Sequence, residues 1–257
     1  MIRTLLSDEV WARIESALPG KDGDPGRTAA DNRWFVEAVL WIGRTGCPWR
    51  DLPKEFGRWH TVYMRFSRWR RKGVWERVAH AVSDETEIKR VLIDSTIVRA
   101  HQHSAGARKK RGPQALGRSR GGLTTKLHPA VDEAGRPLRM IATEGQVSDI
   151  SCAHELVEHL RTGAVIADKV YDSDAFVNTI RTARAKAVIP PRSNRKTRRR
   201  YSRVLYRTRN IVERFFNRIK HFRRVSTRYD KLAGNYLAFA APACEQSSSL
   251  VYAGRAA

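Results

Sequence analysis

The segment VLIDSTIV, residues 91–98, is apolar and rich in β-branched side chains. This composition predicts a buried β-strand, because a strand covered on both faces needs apolar residues at successive positions. A second apolar run, GAVIAD at residues 163–168, predicts another buried strand. Each run includes an aspartate after its apolar residues, Asp94 and Asp168. Side chains at the carboxyl ends of strands in an α/β sheet project into the crevice where ligands bind, so neighbouring strands would bring these carboxylates together.

The segments that follow predict a mixed α/β sheet. LTTKLHPAV (123–131) and RPLRMIA (136–142) flank the turn DEAG and predict a hairpin. SDAFVNTIRTARAK (173–186) has helical periodicity, and AVIPP (187–191) predicts a strand that its prolines stop. This order of strands, hairpin and helices is that of one α/β domain.

Residues 1–85 predict helices instead. SDEVWARIESALPG (7–20), RWFVEAVLWIG (33–43) and RWHTVYMRFSRWRRKG (58–73) each place apolar residues at helical spacing. Ser7 is the N-cap expected for the first of these helices. Short helices, a turn and an arginine-rich helix are typical of a helix-turn-helix module. The alternative is a helical bundle whose basic face is only solvated. On the first interpretation, the DNA contacts of the third segment are Arg65, Arg68, Arg70 and Arg71.

The composition points to a polyanionic partner. The chain has 49 Lys and Arg against 26 Asp and Glu, a formal net charge of +23. Nucleic acid is the usual partner of such a chain, and an anionic membrane surface is the competitor. No apolar run approaches the ~20 residues of a membrane-spanning helix. We therefore expect a soluble, cytoplasmic protein that binds DNA and no membrane.

Two segments carry basic residues and no acid: RKKRGPQALGRSR (108–120) and RSNRKTRRRYSR (192–203). Their Gly, Pro, Ser and Asn residues predict loops. Runs of like charge on an ordered domain are typical of arms that contact phosphates, although mere solvated charge is the alternative. The predicted DNA contacts are Arg108, Lys109, Lys110, Arg111, Arg195, Lys196, Arg198, Arg199 and Arg200.

The segment YRTRNIVERFFNRIK, residues 206–220, contains a single acid, Glu213. Its periodicity predicts a helix that packs Ile211, Phe215 and Ile219 inward. The opposite, polar row holds Tyr206, Arg209, Glu213 and Lys220. One interpretation of Glu213 is an ordinary ion pair with Arg209 one turn away, worth a few tenths of a kcal/mol.

The other interpretation makes Glu213 the third carboxylate of a metal site with Asp94 and Asp168. An oxygen cage of this kind suits Mg²⁺, and two such ions can activate a nucleophile and stabilise a leaving oxygen in phosphodiester chemistry. Asp172 and Asp174 follow closely and could replace Asp168. We prefer Asp168 because it directly ends an apolar strand, while Asp174 has the position of an acid in the first turn of the next helix. The alternative for each aspartate alone is a helix cap or a turn residue.

These residues resemble a known family. The spacing Tyr206-x2-Arg209-x3-Glu213-x6-Lys220 resembles the Y-R-E-K signature of bacterial insertion-sequence transposases with a DDE site. The likeness to insertion-sequence family five covers about residues 6 to 240. The segments that carry it are LSDEVWARI, GCPWRDLP, GRSRGGLTTKLH, GRPLRMIATEGQVSDI, VIPPRSNRK and TRYDKLAGNYLAF.

The resemblance implies an α/β ribonuclease-H-like catalytic domain with a mixed sheet at residues 86–235. It follows an all-helical DNA-binding domain at 1–85 and precedes a divergent tail at 236–257. The implied metal ligands are Asp94, Asp168 and Glu213, holding Mg²⁺ for which Mn²⁺ can substitute. Tyr206, Arg209 and Lys220 would support the site or hold DNA phosphate.

The resemblance also implies an activity. Members of the family bind the terminal inverted repeats of their element, cut at its ends and join them to target DNA, acting as homodimers or higher multimers on double-stranded DNA. We therefore expect a bacterial cytoplasmic protein associated with the nucleoid. The alternatives are a nuclease that only hydrolyses DNA and a catalytically degenerate DNA-binding relic.

Two positions depart from the family pattern. The family usually has glycine where this chain has Val170, and a valine would be strained if that position requires a positive φ. The segment after Ala240 is small and polar where the family usually continues with an apolar helix.

Overall fold

A computed structural model of the chain describes residues 4–21, 23–24, 29–82, 88–106 and 112–253. The chain divides into two compact units that interleave in sequence. The first, the helical unit, comprises Met1–Asp84, Ala100–Gln114 and Arg218–Ala257. The second, the sheet unit, comprises Glu85–Arg99 and Ala115–Asn217. The sequence-based boundaries at 1–85, 86–235 and 236–257 instead follow one another along the chain, and the acidic segment 83–87 lies outside the described residues.

The helices and strands have the following bounds in chain order. The helices are α1 (Asp8–Ile14), α2 (Asn32–Thr45), α3 (Trp59–Arg71), α4 (Val74–Val82), α5 (Ala153–Val157), α6 (Asp174–Thr182), α7 (Arg203–Tyr206), α8 (Asn210–Ile219), α9 (Arg223–Ser226) and α10 (Ala233–Ala253). The strands are β1 (Ile88–Ile93), β2 (Thr96–Ala100), β3 (Gly117–Ser119), β4 (Gly122–Asp132), β5 (Pro137–Glu144), β6 (Thr162–Ile166), β7 (Lys186–Val188) and β8 (Thr227–Arg228).

Side-chain caps begin the first helices of the helical unit, as the sequence predicts for α1. The Val10 N–H donates to Ser7 Oγ at 3.3 Å, and the Trp34 N–H donates to Asp31 Oδ1 at 2.8 Å. Such a cap satisfies one of the backbone donors that a helix leaves unpaired at its N-terminus. Helix α2 ends at Gly46, whose φ of 72° is left-handed and therefore suits glycine.

Stacked and edge-packed aromatic rings fill the core of the helical unit. The ring centroids of Phe35 and Trp69 are 4.8 Å apart, and those of Phe66 and Phe239 are 4.6 Å apart. Trp75 is 1% exposed and packs against Phe66. Aromatic pairs at these distances add to the stability gained from burial alone.

The connection between α2 and α3 differs from the predicted helix-turn-helix. Residues 46–58 separate the two helices and include 3₁₀ turns at Trp49–Asp51 and Lys54–Phe56. A helix-turn-helix joins its helices by about three or four residues. The prolines of GCPWRDLP explain the longer path, because proline ends helices and favours extended backbone before it.

The predicted C-terminal tail at 236–257 is helical as far as the structure describes it, to Ala253. Helix α10 continues through Pro242 to Ala253, and Tyr236, Phe239 and Ala240 are buried in its first turns. None of the helices in the described parts of the chain combines the length and the apolar character that a membrane span requires.

The sheet unit contains the predicted mixed sheet, with strands in the order β7-β6-β1-β4-β2 and with β3 and β5 also paired to β4. Strand β1 is parallel to β6 and antiparallel to β4, and β6 is parallel to β7. The predicted hairpin is β4 and β5, which are antiparallel neighbours. Buried side chains of α5 and α6, including Leu156 and Phe176, pack with the sheet in one core.

The segment that predicts one strand at residues 91–98 forms two. Strand β1 ends at Ile93, β2 begins at Thr96, and both run antiparallel to β4. Asp94 and Ser95 lie at the break between them. Because Asp94 lies in this break, its side chain does not follow the alternation of side chains between the two faces of the sheet.

Candidate active site

Asp94 and Asp168 follow adjacent parallel strands. The register pairs Leu92 of β1 with Ile166 of β6, so each aspartate stands two residues beyond a paired position. Neighbouring strands lie about 4.8 Å apart, which brings the two chain segments to the same edge of the sheet. The condition for the two carboxylates to converge, that their strands are neighbours, is therefore met.

Local hydrogen bonds orient both aspartates. The Ser95 N–H donates to Asp94 Oδ1 at 2.8 Å, and the Val170 N–H donates to Asp168 Oδ1 at 2.8 Å. Asp168 thereby caps a 3₁₀ turn at Lys169–Tyr171. Val170 is not among the described residues with positive φ, so valine fits this turn without the strain considered above.

The segment around Glu213 is not one continuous helix. Helix α7 passes into a 3₁₀ turn at Arg207–Arg209 before α8 begins at Asn210. The buried side chains of α8 are Val212, Phe215, Phe216 and Ile219, whereas Ile211, predicted to pack inward, is only half-buried. Glu213 lies in the first turn of α8, where the helix dipole favours a negative charge.

Arg209 joins two of the predicted metal ligands. Its Nη2 lies 2.7 Å from Asp94 Oδ2, and its Nη1 lies 2.6 Å from Glu213 Oε1. The side chain of Asp94 is 14% exposed and that of Glu213 is 54% exposed. The ion pair of Arg209 with Glu213 therefore exists, and the same guanidinium holds the glutamate beside Asp94.

At Asp94, the cost of burying a charge outweighs the favourable effect of this guanidinium. Burial raises the pKa of Asp94 above its usual value, and the charges of Asp168 and Asp149 raise it further, while Arg209 and the Ser95 N–H lower it. Burial alone would lower the pKa of Arg209, but Asp94 and Glu213 hold it above its usual value. The site thus favours a further cation.

The residue types fit a divalent metal ion, although they are not arranged around one. Carboxylate oxygens are the ligands that Mg²⁺ prefers. Among the described residues, no three His, Cys, Asp or Glu side chains are grouped to hold a metal, and Arg209 contacts oxygens of Asp94 and Glu213. A metal ion would share those two carboxylates with the guanidinium.

Asp172 and Asp174, the alternatives to Asp168, are engaged elsewhere. Asp172 accepts hydrogen bonds from the Arg192 N–H at 2.9 Å, Arg195 Nε at 2.7 Å and Arg199 Nη1 at 2.5 Å. Asp174 pairs with the same two guanidiniums. Burial opposes the ionisation of Asp172, but these donors outweigh it and hold the pKa of this carboxyl below its usual value. We call these two aspartates with Arg195 and Arg199 the Asp172 clamp.

Tyr206 and Lys220 belong to different units. Tyr206 lies in the sheet unit, and its ring centroid is 5.5 Å from that of Tyr201. Burial raises the pKa of Tyr206, the charges of Asp168 and Asp94 add to the rise, and Arg209 opposes it. Lys220 is exposed and lies in the helical unit.

The predicted DNA contacts on α3 divide into two kinds. Arg65 lies over the rings of Phe35 and Trp69 at 4.3 and 4.8 Å and donates to Asn32 Oδ1. Burial lowers the pKa of Arg65. The half-buried Arg70 lies within the same unit, its guanidinium near Gly234. The exposed members are Arg68 and Arg71.

The predicted contacts in the basic segments divide in the same way. Arg108, Lys109, Lys110 and Arg111 lie outside the described residues. Arg195 and Arg199 are mostly buried in the Asp172 clamp, which sequence reasoning did not anticipate. The exposed members of this segment are Lys196, Arg198 and Arg200.

Sequence reasoning also missed the ion pair of Lys126 with Asp149. Lys126 Nζ lies 2.7 Å from Asp149 Oδ1, and both side chains are largely buried. The charge of Asp149 also contributes to the raised pKa of Asp94. The available signal is Lys126 itself, a lysine inside a strand that is otherwise uncharged until Asp132.

Comparison with known proteins identifies the family of the chain. Residues 6–79 match the model described as "Putative transposase of IS4/5 family", and residues 85–244 match the model "Transposase DDE domain". The putative transposase for insertion sequence element IS6501 of Brucella ovis is 40% identical over 128 residues, covering 48% of this chain and 95% of the relative. The putative transposase for IS402 of Burkholderia cepacia is 29% identical over 171 residues, covering 62% and 74%.

A solved structure has a similar fold. The piggyBac transposase in a synaptic complex with hairpin DNA aligns with a TM-score of 0.55 at 12% identity, covering 97% of this chain and 73% of that one. This likeness supports the predicted ribonuclease-H-like fold. Because the DDE model matches more than half of the chain, the protein belongs to the DDE transposase family, with an N-terminal segment of the IS4/5 family.

Proposed function

We propose that this transposase binds the terminal inverted repeats of an insertion sequence, cleaves at its ends and transfers the strands to target DNA. The observation that carries the proposal is the position of Glu213, which Arg209 holds beside Asp94 at the edge of the sheet that Asp168 shares. An ion pair within one helix would account for Arg209 and Glu213, but not for the mostly buried Asp94 that the same guanidinium contacts at a strand break.

Asp94, Asp168 and Glu213 are the residues that would hold Mg²⁺, with Mn²⁺ as a substitute. The metal would supply activation of the attacking water or 3′-hydroxyl and stabilisation of the leaving oxygen. Arg209 lies between Asp94 and Glu213 and limits the repulsion between these two carboxylates. Tyr206 and Lys220 would contact phosphate near the site.

DNA recognition would come from both units. On α3, Arg68 and Arg71 are exposed and available to phosphates or base edges. We assign the helical residues 1–85 to binding of the inverted repeats and residues 86–235 to catalysis. The protein would act as a homodimer or higher multimer on paired ends, in association with the nucleoid.

A cleavage and joining assay on labelled DNA that carries the two ends of the element tests the proposal. With Mg²⁺, the wild type should nick at the tips of the repeats and join them to target DNA, and Glu213→Gln should reduce cleavage at least about a hundredfold. The matched control is Glu158→Gln, which changes another exposed carboxylate of the sheet unit.

The other outcomes assign other functions. Cleavage without joining would indicate a hydrolytic nuclease. DNA binding without cleavage by either protein would indicate a degenerate relic in which Arg209 permanently occupies the carboxylates, the one observation that favours this alternative. Equal cleavage by wild type and Glu213→Gln would exclude Glu213 as a metal ligand.

A further inference from the structure

A basic cleft lies in the sheet unit next to the carboxylates. Its volume is about 650 Å³, and the lining that matters here is Lys169, Arg192, Arg198, Arg200, Tyr201 and Arg203. Asp168 immediately precedes Lys169 in the chain. Among the described residues that line the cleft, none is acidic.

Four of these cations are not neutralised by acidic side chains among the described residues. Lys169, Arg198, Arg200 and Arg203 are exposed, and none forms an ion pair with the described residues. Four like charges around one cleft repel one another unless an anion lies between them. The cleft is therefore suited to a ligand with phosphate groups.

The wall of the cleft is fixed before any ligand binds. Arg192 donates from Nε to the Lys169 carbonyl at 3.2 Å and from Nη2 to the Val170 carbonyl at 2.6 Å. The Asp172 clamp holds Arg195 and Arg199 on the same segment. These bonds fasten the basic segment to the turn that Asp168 caps.

An aromatic pair connects the cleft with the carboxylates. Tyr201 lines the cleft and is half-buried, and its ring packs edge-on against Tyr206. The charges of Asp168 and Asp94 contribute to the raised pKa of Tyr206, so its hydroxyl lies in their field. A ligand on Tyr201 would thus be a neighbour of the proposed reaction centre.

The volume of the cleft favours single-stranded DNA over duplex DNA as its ligand. Clefts of roughly 300–1000 Å³ hold small-molecule ligands, and one unpaired nucleotide is of that size, whereas a base-paired duplex is not. Sites for single strands combine a cationic groove with aromatic side chains on which bases stack. We propose that this cleft binds an unpaired nucleotide of the DNA strand next to the cleaved phosphate, with its base on Tyr201 and its phosphates on Arg198, Arg200 and Arg203.

This inference rests on the proposed function and is tested by binding without cleavage. The probes are a labelled duplex of the element's end, once blunt and once with a three-thymidine single-stranded extension, in Ca²⁺. The wild type should prefer the extended probe about tenfold. Tyr201→Leu should remove this preference and leave blunt-end binding unchanged, and Tyr201→Phe should retain it.

Charge variants give an independent readout. Arg200→Gln should lower the salt dependence of binding to a thymidine single strand by about 0.7 in log–log slope, the share of one phosphate contact. Lys196→Gln removes the same charge from the same exposed segment but does not line the cleft, so it should change the slope less.

Four results would overturn the inference. Equal slopes for the two charge variants would mean a solvated basic surface, and equal effects of Tyr201→Leu on both probes would mean a structural tyrosine. If the wild type cleaves at the ends but does not prefer the extended probe, the proposed role of the cleft is wrong and the proposed function stands. If the wild type binds neither probe, both the proposed function and the proposed role of the cleft are wrong.

Discussion

The sheet unit contains two groups of carboxylates and arginines that differ in charge balance. In the Asp172 clamp, two guanidiniums and a backbone N–H satisfy two aspartates. In the candidate active site, one guanidinium serves Asp94 and Glu213, and Asp168 follows the adjacent strand. The residue types are the same, so the balance of charge distinguishes the structural group from the candidate site.

The pKa directions express this difference. The pKa of Asp172 lies below its usual value because its donors outweigh burial, whereas burial and neighbouring carboxylates hold the pKa of Asp94 above its usual value. The clamp stabilises its charges through partners within the protein. At the candidate site, a bound cation would supply part of that stabilisation.

The largest expected difference between the two groups is in folding stability. Asp172→Asn should lower the free energy of unfolding by about 3 kcal/mol, because it leaves two mostly buried guanidiniums with only the exposed carboxylate of Asp174 as their acidic partner. Asp94→Asn should change it by less than about 1 kcal/mol, since burial already disfavours the ionised form and Arg209 keeps Glu213. Urea denaturation of both variants measures this, and equal losses would contradict the comparison.

A buried base without an ion pair sharpens the comparison through pH. His128 is 0% exposed, bonds through Nε2 to Thr143 Oγ1 at 2.8 Å, and has no hydrogen-bond partner for Nδ1 among the described residues. Burial lowers its pKa from 6.5 to about 4, with Asp149 and Lys126 acting in opposite senses. Between pH 6.5 and about pH 4, His128 therefore binds a proton in the unfolded chain but not in the folded protein.

Stability should accordingly fall as the pH is lowered from 6.5 towards 4, by about 2–3 kcal/mol from this residue. Free energies of unfolding at pH 7 and pH 4.5 for wild type and His128→Gln measure the contribution. Carboxylates titrate in both proteins, so the difference between the two losses isolates His128. Identical losses would show that His128 is already protonated in the folded state.

The smallest effect extends the comparison to α3. Arg65→Gln should lower the free energy of unfolding by about 1–2 kcal/mol, because the guanidinium packs on two aromatic rings. Arg68→Gln should leave stability unchanged and reduce the salt dependence of duplex binding by about 0.9 in log–log slope. Each variant is the control for the other. If Arg65→Gln reduced the salt dependence of duplex binding without lowering the free energy of unfolding, Arg65 would be a DNA contact after all.

The sequence predicted most of what depends on short-range patterns. The β4–β5 hairpin, the Ser7 cap and the two apolar strands before Asp94 and Asp168 each follow from periodicity or turn chemistry within about ten residues. The family motifs then suggested the fold as a whole. Such patterns are local, and local preferences survive packing where the neighbouring elements agree with them.

The missed features depend on partners far apart in the chain. Arg199 Nη1 reaches Asp172 across 27 positions, and Arg209 Nη2 reaches Asp94 across 115. Periodicity assigns both arginines to polar surfaces without distinguishing a buried clamp from a phosphate contact. The break of α7 and α8 at a 3₁₀ turn is likewise invisible in a pattern that suits one helix.

The Asp172 clamp has a consequence for the rate at which DNA would dissociate. Immobilising a flexible side chain on binding costs about 0.5–1.5 kcal/mol, and the clamp has already ordered two arginines and the segment that carries them. Binding to the neighbouring exposed cations then forfeits less conformational entropy. The saving should lengthen the lifetime of the complex, because affinity differences at one interface reside mainly in the dissociation rate.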